Sequence, residues 1–124
     1  MWSFNKKSEA IKNFDKEAGD IPNKQYRKIG VQSIETNLIV GSVGRAHELN
    51  EKFFYKGRKV DDRHKRIEAD FVSGKPMQPI QVLKLQCDEH DAQYFVMDGH
   101  HRVAIAKQHG LTSINAEVTE VFWS

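Results

Sequence analysis

"YFVMDGHHRVAIAKQHG", residues 94–110, is the stretch on which the fold turns. It opens with an apolar run, bends at Asp98-Gly99 and continues as a helical pattern from His101 to His109 that Gly110 closes. Asp-Gly is turn chemistry, and a glycine just past a helix is a common stop. The reading is strand, tight turn, helix. The first N–H groups of a helix have no partner inside it and carry the positive end of its dipole. An anion placed there meets donors that need no rearrangement. His100, His101 and Arg102 stand at that position. The arginine fork suits two phosphate oxygens, and imidazoles donate to phosphate or exchange protons near neutral pH. Asp98 can accept a helix N–H, orient an imidazole or hold a divalent ion. Gly99 keeps a Cβ out of an approaching ligand's path. The plainer alternative is a solvated turn bearing surface charge, and residue types alone leave both open.

The sequence on either side supplies the rest of a sheet. "MQPIQVLKLQ" predicts a strand centred on Ile80–Leu85, and the polar run 87–93 reads as the connection to the strand that starts at Tyr94. Ile114, Ala116 and Val118 alternate with Asn115, Glu117 and Thr119, the mark of a half-buried last strand. Upstream, Val60, His64, Ile67 and Phe71 share one helical face, with Asp61 or Asp62 as cap and Gly74 as stop. Extended pieces around Ile29–Val31 and Leu38–Val40 precede "GSVGR", 41–45, whose two glycines imply a tight turn or a close approach. The expected fold is a small α+β domain, a mixed sheet with helices packed on it.

The chain has 124 residues, 39% hydrophobic and 29% charged, with a net charge of +2. That is one globular domain, mildly basic, compatible with phosphate ligands without demanding nucleic acid. Residues 1–25 form a separate segment. Phe4, Ile11, Phe14 and Ala18 lie at helical offsets, and Gly19-Asp20 with Pro22 would end that helix. It is expected either to lie across the domain of residues 26–124 or to serve as an arm for a partner or a second copy. Cys87 is the only cysteine, which suits a reducing compartment. The first residues carry no apolar core of a secretory signal, and nothing nears the ~20 apolar residues of a membrane span. A cytoplasmic protein without membrane contact is the expectation.

The segments "MQPIQV" and "YFVMDGHHRVAIAKQHGLTSINAEV" together resemble the ParB/sulfiredoxin superfamily. In that family a strand follows a Pro-Ile pair, and a Gly-x-x-Arg box opens a helix. Gln78-Pro79-Ile80 and Gly99-His100-His101-Arg102 occupy those places, and Arg45 falls where ParB-type domains carry an early arginine. The resemblance covers roughly residues 29–120. The box is most similar to that of the free serine kinases, matching at Asp98, Gly99, His100 and Arg102. What the resemblance implies is a bound nucleotide (ATP, ADP or CTP) with its phosphates on Gly99, His100, His101 and Arg102 and on Arg45 as a second clamp. It further implies either hydrolysis of the nucleotide or phosphoryl transfer to a small hydroxyl substrate. Sulfiredoxin chemistry is not expected, because His100 stands where that enzyme's cysteine would be. A helix-turn-helix domain after residue 120 is not expected either. Phosphoryl transfer needs its charge neutralised and a base for the hydroxyl proton. Asp98 is the expected Mg²⁺ ligand, and Glu48, His100 and His101 are the candidate bases.

Two further patterns compete for a role. Cys87 and His90 have a zinc-like spacing, but one thiolate in a polar connection falls short of four ligands, so no zinc is expected. The stretch 51–66 interleaves Lys56, Arg58, Lys59, Arg63, Lys65 and Arg66 with Phe53, Phe54 and Tyr55. Charge plus stacking is how single strands are held. The alternative function is therefore a DNA- or RNA-binding module, or a ParB-like nuclease, against a plain solvated face with its aromatics in the core. A non-catalytic nucleotide sensor is the third reading. Trp2 and Trp123, near the two termini, could pack together or form a contact patch.

Overall fold

The computed structural model describes residues 10–57, 61–86 and 92–123. In chain order these form β1 (Lys12–Asn13), α1 (Phe14–Ala18), β2 (Gln25–Glu35), β3 (Ile39–Ser42), α2 (Asp62–Val72), β4 (Ile80–Leu85), β5 (Gln93–Asp98), α3 (His100–Gln108) and β6 (Ser113–Phe122), with two single 3₁₀ turns at 36–38 and 46–48. The strands among the described residues make one sheet in the order β1-β3-β5-β4-β6-β2. It is mixed: β1–β3, β3–β5 and β4–β6 run parallel, β4–β5 and β2–β6 antiparallel. This is the α+β class expected from the sequence.

Strand alternation sends side chains to two opposite faces. Ile80, Val82, Val96, Ala116 and Val118 face α3 and pack with its Val103, Ala104 and Ala106. Leu83, Leu85, Phe95 and Val121 face the other way and are covered by Phe14 and Ala18 of α1. Val103 and Ile105 are fully buried, and each such side chain stabilises the fold by about 2 kcal/mol relative to exposure.

The N-terminal segment departs from the expected single helix. Among its described residues only Phe14–Ala18 is helical; Lys12 and Asn13 instead pair with Gly41 and Ser42, and the Asn13 side chain caps α1 by accepting from the Asp15 N–H at 2.9 Å. Lys12–Asn13 and Phe14–Ala18, N-terminal of the expected boundary at 25, thus join the same sheet and core. Phe4 and Trp2 lie outside the described residues. Gly41 makes the junction: a Cβ there would meet the Lys12 carbonyl oxygen and the Phe95 ring, the latter at 2.6 Å.

The site is positioned by strand direction. Because β3 and β5 are parallel, their carboxyl ends leave the sheet side by side, delivering Arg45 and Asp98-Gly99 to one end. Because β4 is antiparallel to β5, its amino end, with Gln78 and Pro79 just before it, arrives at the same place. Val43 keeps the exit of β3 aligned by donating to the Val96 carbonyl at 2.9 Å. No helix among the described residues is long and apolar enough to cross a membrane.

Candidate functional site

The turn after β5 requires glycine for an internal reason. Gly99 has φ +106°, and a Cβ there would sit 2.6 Å from the Cγ2 of Ile80. The glycine is thus explained by backbone conformation and by packing on β4. This replaces the sequence expectation that it clears a ligand's path. Gly99 serves as N-cap without a side-chain cap, and its carbonyl accepts the first helical bond from Val103 at 3.0 Å. The N–H groups of the first turn, at His100, His101 and Arg102, have no partner within the helix.

His100 points inward. It is 6% exposed, and its Nε2 lies 2.8 Å from the Oγ of fully buried Ser42. Burial, with Arg45 adding to it, pushes its pKa down to about 4, so the ring is neutral at pH 7. Proton exchange near neutral pH, one of the two roles expected of His100, does not fit this position. Burial outweighs the nearby Asp98 and Glu48 charges, which act the other way. Phe53, 1% exposed, stacks on the ring with centroids 6.5 Å apart. Phe53 adopts φ +69° to get there, and the side chain of Asn50 holds that turn by accepting from the N–H groups of Lys52 and Phe54.

His101 is also engaged. Its Nδ1 lies 3.0 Å from the Nδ1 of His64 on α2, and its Nε2 is 4.0 Å from Asp61. Burial lowers its pKa, partly offset by Asp61. Its side chain therefore serves the α2–α3 contact through the Nδ1, one of the two ring nitrogens that the sequence reading offered to phosphate or to proton exchange. Asp61, the observed cap of α2, accepts from the His64 N–H at 2.8 Å.

Arg102 is half committed. Its Nη1 donates to the carbonyls of Gln78 (3.0 Å) and Pro79 (2.8 Å), and its Nη2 lies 3.5 Å from Asp98. The guanidinium ties the start of α3 to the start of β4, with its side chain 15% exposed. The expected free phosphate fork is thereby reduced to the remaining N–H groups.

Around this turn lies a cleft of about 250 Å³ lined by Arg45, Tyr55, Arg63, Ile67, Met97, Asp98, Gly99, His100, His101 and Arg102. Arg45, with its side chain 53% exposed, arrives from the end of β3 and is 3.5 Å from Glu48. Arg63 arrives from the first turns of α2. Asp98, with its side chain 62% exposed, is the one carboxylate among the lining residues. Glu48, a candidate base in the sequence reading, faces Arg45 and His47 instead of lining the cleft. A second cleft of about 380 Å³ shares Arg63, Ile67 and Arg102 with the first and adds Arg66, Asp70, Lys75, Pro76, Met77 and Gln78.

The basic stretch 51–66 divides. Arg58 and Lys59 lie outside the described residues. Lys56 and Lys65 are exposed, while Arg63 and Arg66 turn to the clefts. Phe53 is core and Phe54 is half-buried on His64, centroids 5.3 Å apart, so those two do not form an exposed stacking platform. Sequence reading assigned Arg63 only to a nucleic-acid surface, placed His64 on the helical face of α2 and Tyr55 among the aromatics of the basic stretch, and gave Ser42 no role. Ser42 had no local signal, because its partner lies 58 positions away. The Cys87–His90 pattern lies outside the described residues; among those described, no three His, Cys, Asp or Glu side chains group to hold a metal. Trp123 is 37% exposed, and its pairing with Trp2 lies outside the described residues.

No family model matches the chain, and no curated protein matches it. Among solved structures, it is similar to the C2221 form of a Pnob8-like ParB-N domain, with a TM-score of 0.45 at 10% identity. The match covers 84% of this chain and 33% of that one, so this chain spans about a third of its length.

Proposed function

We propose that the chain binds a nucleotide through its phosphates at the amino end of α3. The observation that carries this reading is the convergence of Arg45 and Arg63, from two different elements, on the cleft at the first turn of α3. Oriented main-chain N–H groups supply donors, and the guanidinium groups supply charge. A nucleotide brings Mg²⁺ on its phosphates, and Asp98 is the exposed carboxylate beside them. Turnover makes a further demand, a base for the acceptor hydroxyl. His100 is too weakly basic and is held by Ser42, and Glu48 is engaged with Arg45. The reading is therefore of a binding module. Phosphoryl transfer of the free serine kinase kind, which the box resembles, is the finer alternative.

Calorimetric titration of ATP, ADP and CTP with Mg²⁺ tests this in wild type, Arg45→Ala and Arg63→Ala. Each substitution is expected to weaken binding at least tenfold, about 1.4 kcal/mol. Equal affinity in all three proteins contradicts the site. Inorganic phosphate released in the same samples would report turnover.

A second reading has its own observation. Arg66 and Lys75 continue the basic lining into the neighbouring cleft through the shared Arg63 and Arg102. An extended polyanion, a nucleic-acid strand, would follow that track. Its signature is affinity that falls steeply with salt. A flat dependence on oligonucleotide titration removes it.

A further inference from the structure

α2 is held to the domain in an unusual way: of its eleven residues, His64 alone is buried. A titratable ring stands where an apolar anchor would be ordinary. That ring meets His101 of α3, Nδ1 to Nδ1, at 3.0 Å. Whichever imidazole donates, the other must present a bare Nδ1. One extra proton can be accommodated, because an imidazolium can still donate to a neutral partner. Two cannot, since N–H would then face N–H across 3.0 Å.

The other end of α2 responds oppositely. Glu68 lies 2.9 Å from the Nε2 of His109, just past α3, and Phe71 lies against the same ring with centroids 5.0 Å apart. Protonating His109 turns that contact into an ion pair. Acid therefore loosens one end of the helix pair and tightens the other.

We propose that the His64–His101 contact is a proton-operated clasp, whose second protonation swings the amino half of α2 away from α3 about the Glu68–His109 end. Arg63 sits on the moving half, so release withdraws a guanidinium from the cleft at the start of α3. The consequence for ligand binding rests on the nucleotide reading above; the hinge itself does not. The groups facing the pair are the Asp61 carboxylate, 4.0 Å from His101, the Arg63 cation, the Tyr55 ring, centroid 5.4 Å from His101, and the neutral His100 next along the chain. Asp61 favours the first proton. Burial first, then His64 and Arg63, oppose charge on His101, so the pair takes a first proton more readily than a second.

The test is an NMR titration of the full chain from pH 7.5 to 4.5 without ligand, following imidazole carbon and main-chain amide resonances. In wild type, the two rings are expected to titrate as a coupled pair. The amides of Asp62–Ile67 should shift or broaden with the second step, while those of Glu68–Val72 follow less. His101→Asn places a non-titrating amide near the Nδ1 position, able to donate or accept, and should abolish that step. Rings that become doubly protonated while the α2 amides stay still would overturn the clasp, as would an unchanged amide step in His101→Asn. If that variant does not fold, the wild-type comparison of ring and amide titrations decides alone. Repeating the titration with Mg²⁺·ATP separates the two proposals: hinge motion without ligand shifts would fault the nucleotide reading and leave the clasp intact.

Discussion

The Nε2 of His100, at the first position of α3, lies 2.8 Å from the Oγ of Ser42 at the end of β3. This one bond joins the parallel strand pair to the helix start and fixes which way the first histidine of the box faces. Ser42→Ala would leave a buried imidazole nitrogen without its partner. The expected cost is about 1–3 kcal/mol, read from urea unfolding at pH 7.5. A change below about 0.5 kcal/mol, ordinary for a surface site, would mean that the bond does not order the turn.

The same burial makes stability depend on pH in a set direction. Unfolded, His100 takes a proton at its ordinary pKa near 6.5; folded, it resists until about 4. The unfolded state binds more protons across that window, so stability falls as pH drops from about 6.5 towards 4. The loss from this residue is on the order of 3 kcal/mol, and the lowered pKa of His101 acts in the same direction. His100→Gln, which keeps a nitrogen near the Nε2 position, should flatten the profile over that window. A profile as steep as that of wild type would contradict the assignment.

Arg102 should behave first as a structural residue. Its Nη1 serves both the Gln78 and Pro79 carbonyls while its Nη2 reaches towards Asp98, a split that needs a planar fork. Arg102→Ala is expected to destabilise by about 2–3 kcal/mol, and Arg102→Lys should recover little of it, because an ammonium lacks that fork. Thermal unfolding of both variants checks this. Full stability of the alanine variant would show the guanidinium free for a ligand.

Much of this was legible in the sequence where the signal is local. The apolar run, the Asp-Gly bend and the Gly110 stop specify strand, turn and helix within 94–110, and the alternation from Ile114 to Val118 specifies the last strand. A cap at Asp61 or Asp62 follows from helix chemistry, and the structure selects Asp61. What escaped was non-local. β1 is two residues long, and its pairing with Gly41 and Ser42 leaves no periodic trace. His64 reads as one more residue on an apolar face until α2 is docked on His101. The box itself reads as four ligands in a row. The fold turns His100 inward, spends His101 on α2, binds half of Arg102 to carbonyls, and brings Arg63 in from another helix.

Gly99→Ala should be costly. The new Cβ would meet Ile80 at 2.6 Å while φ stays at +106°. Backbone strain and overpacking together predict a loss of at least about 2 kcal/mol. Gly74→Ala is the control: it shares the positive φ but has open space around the added atom. Equal losses in the two would remove Ile80 from the explanation.

The central claim is that main-chain N–H groups at the start of α3 receive phosphate, and amide chemical shifts read those groups directly. On adding Mg²⁺·ATP, and separately pyrophosphate, the largest shifts are predicted at His100, His101 and Arg102, saturating together. An unchanged spectrum at those three amides, or shifts confined to the exposed residues between 51 and 66, would contradict the account.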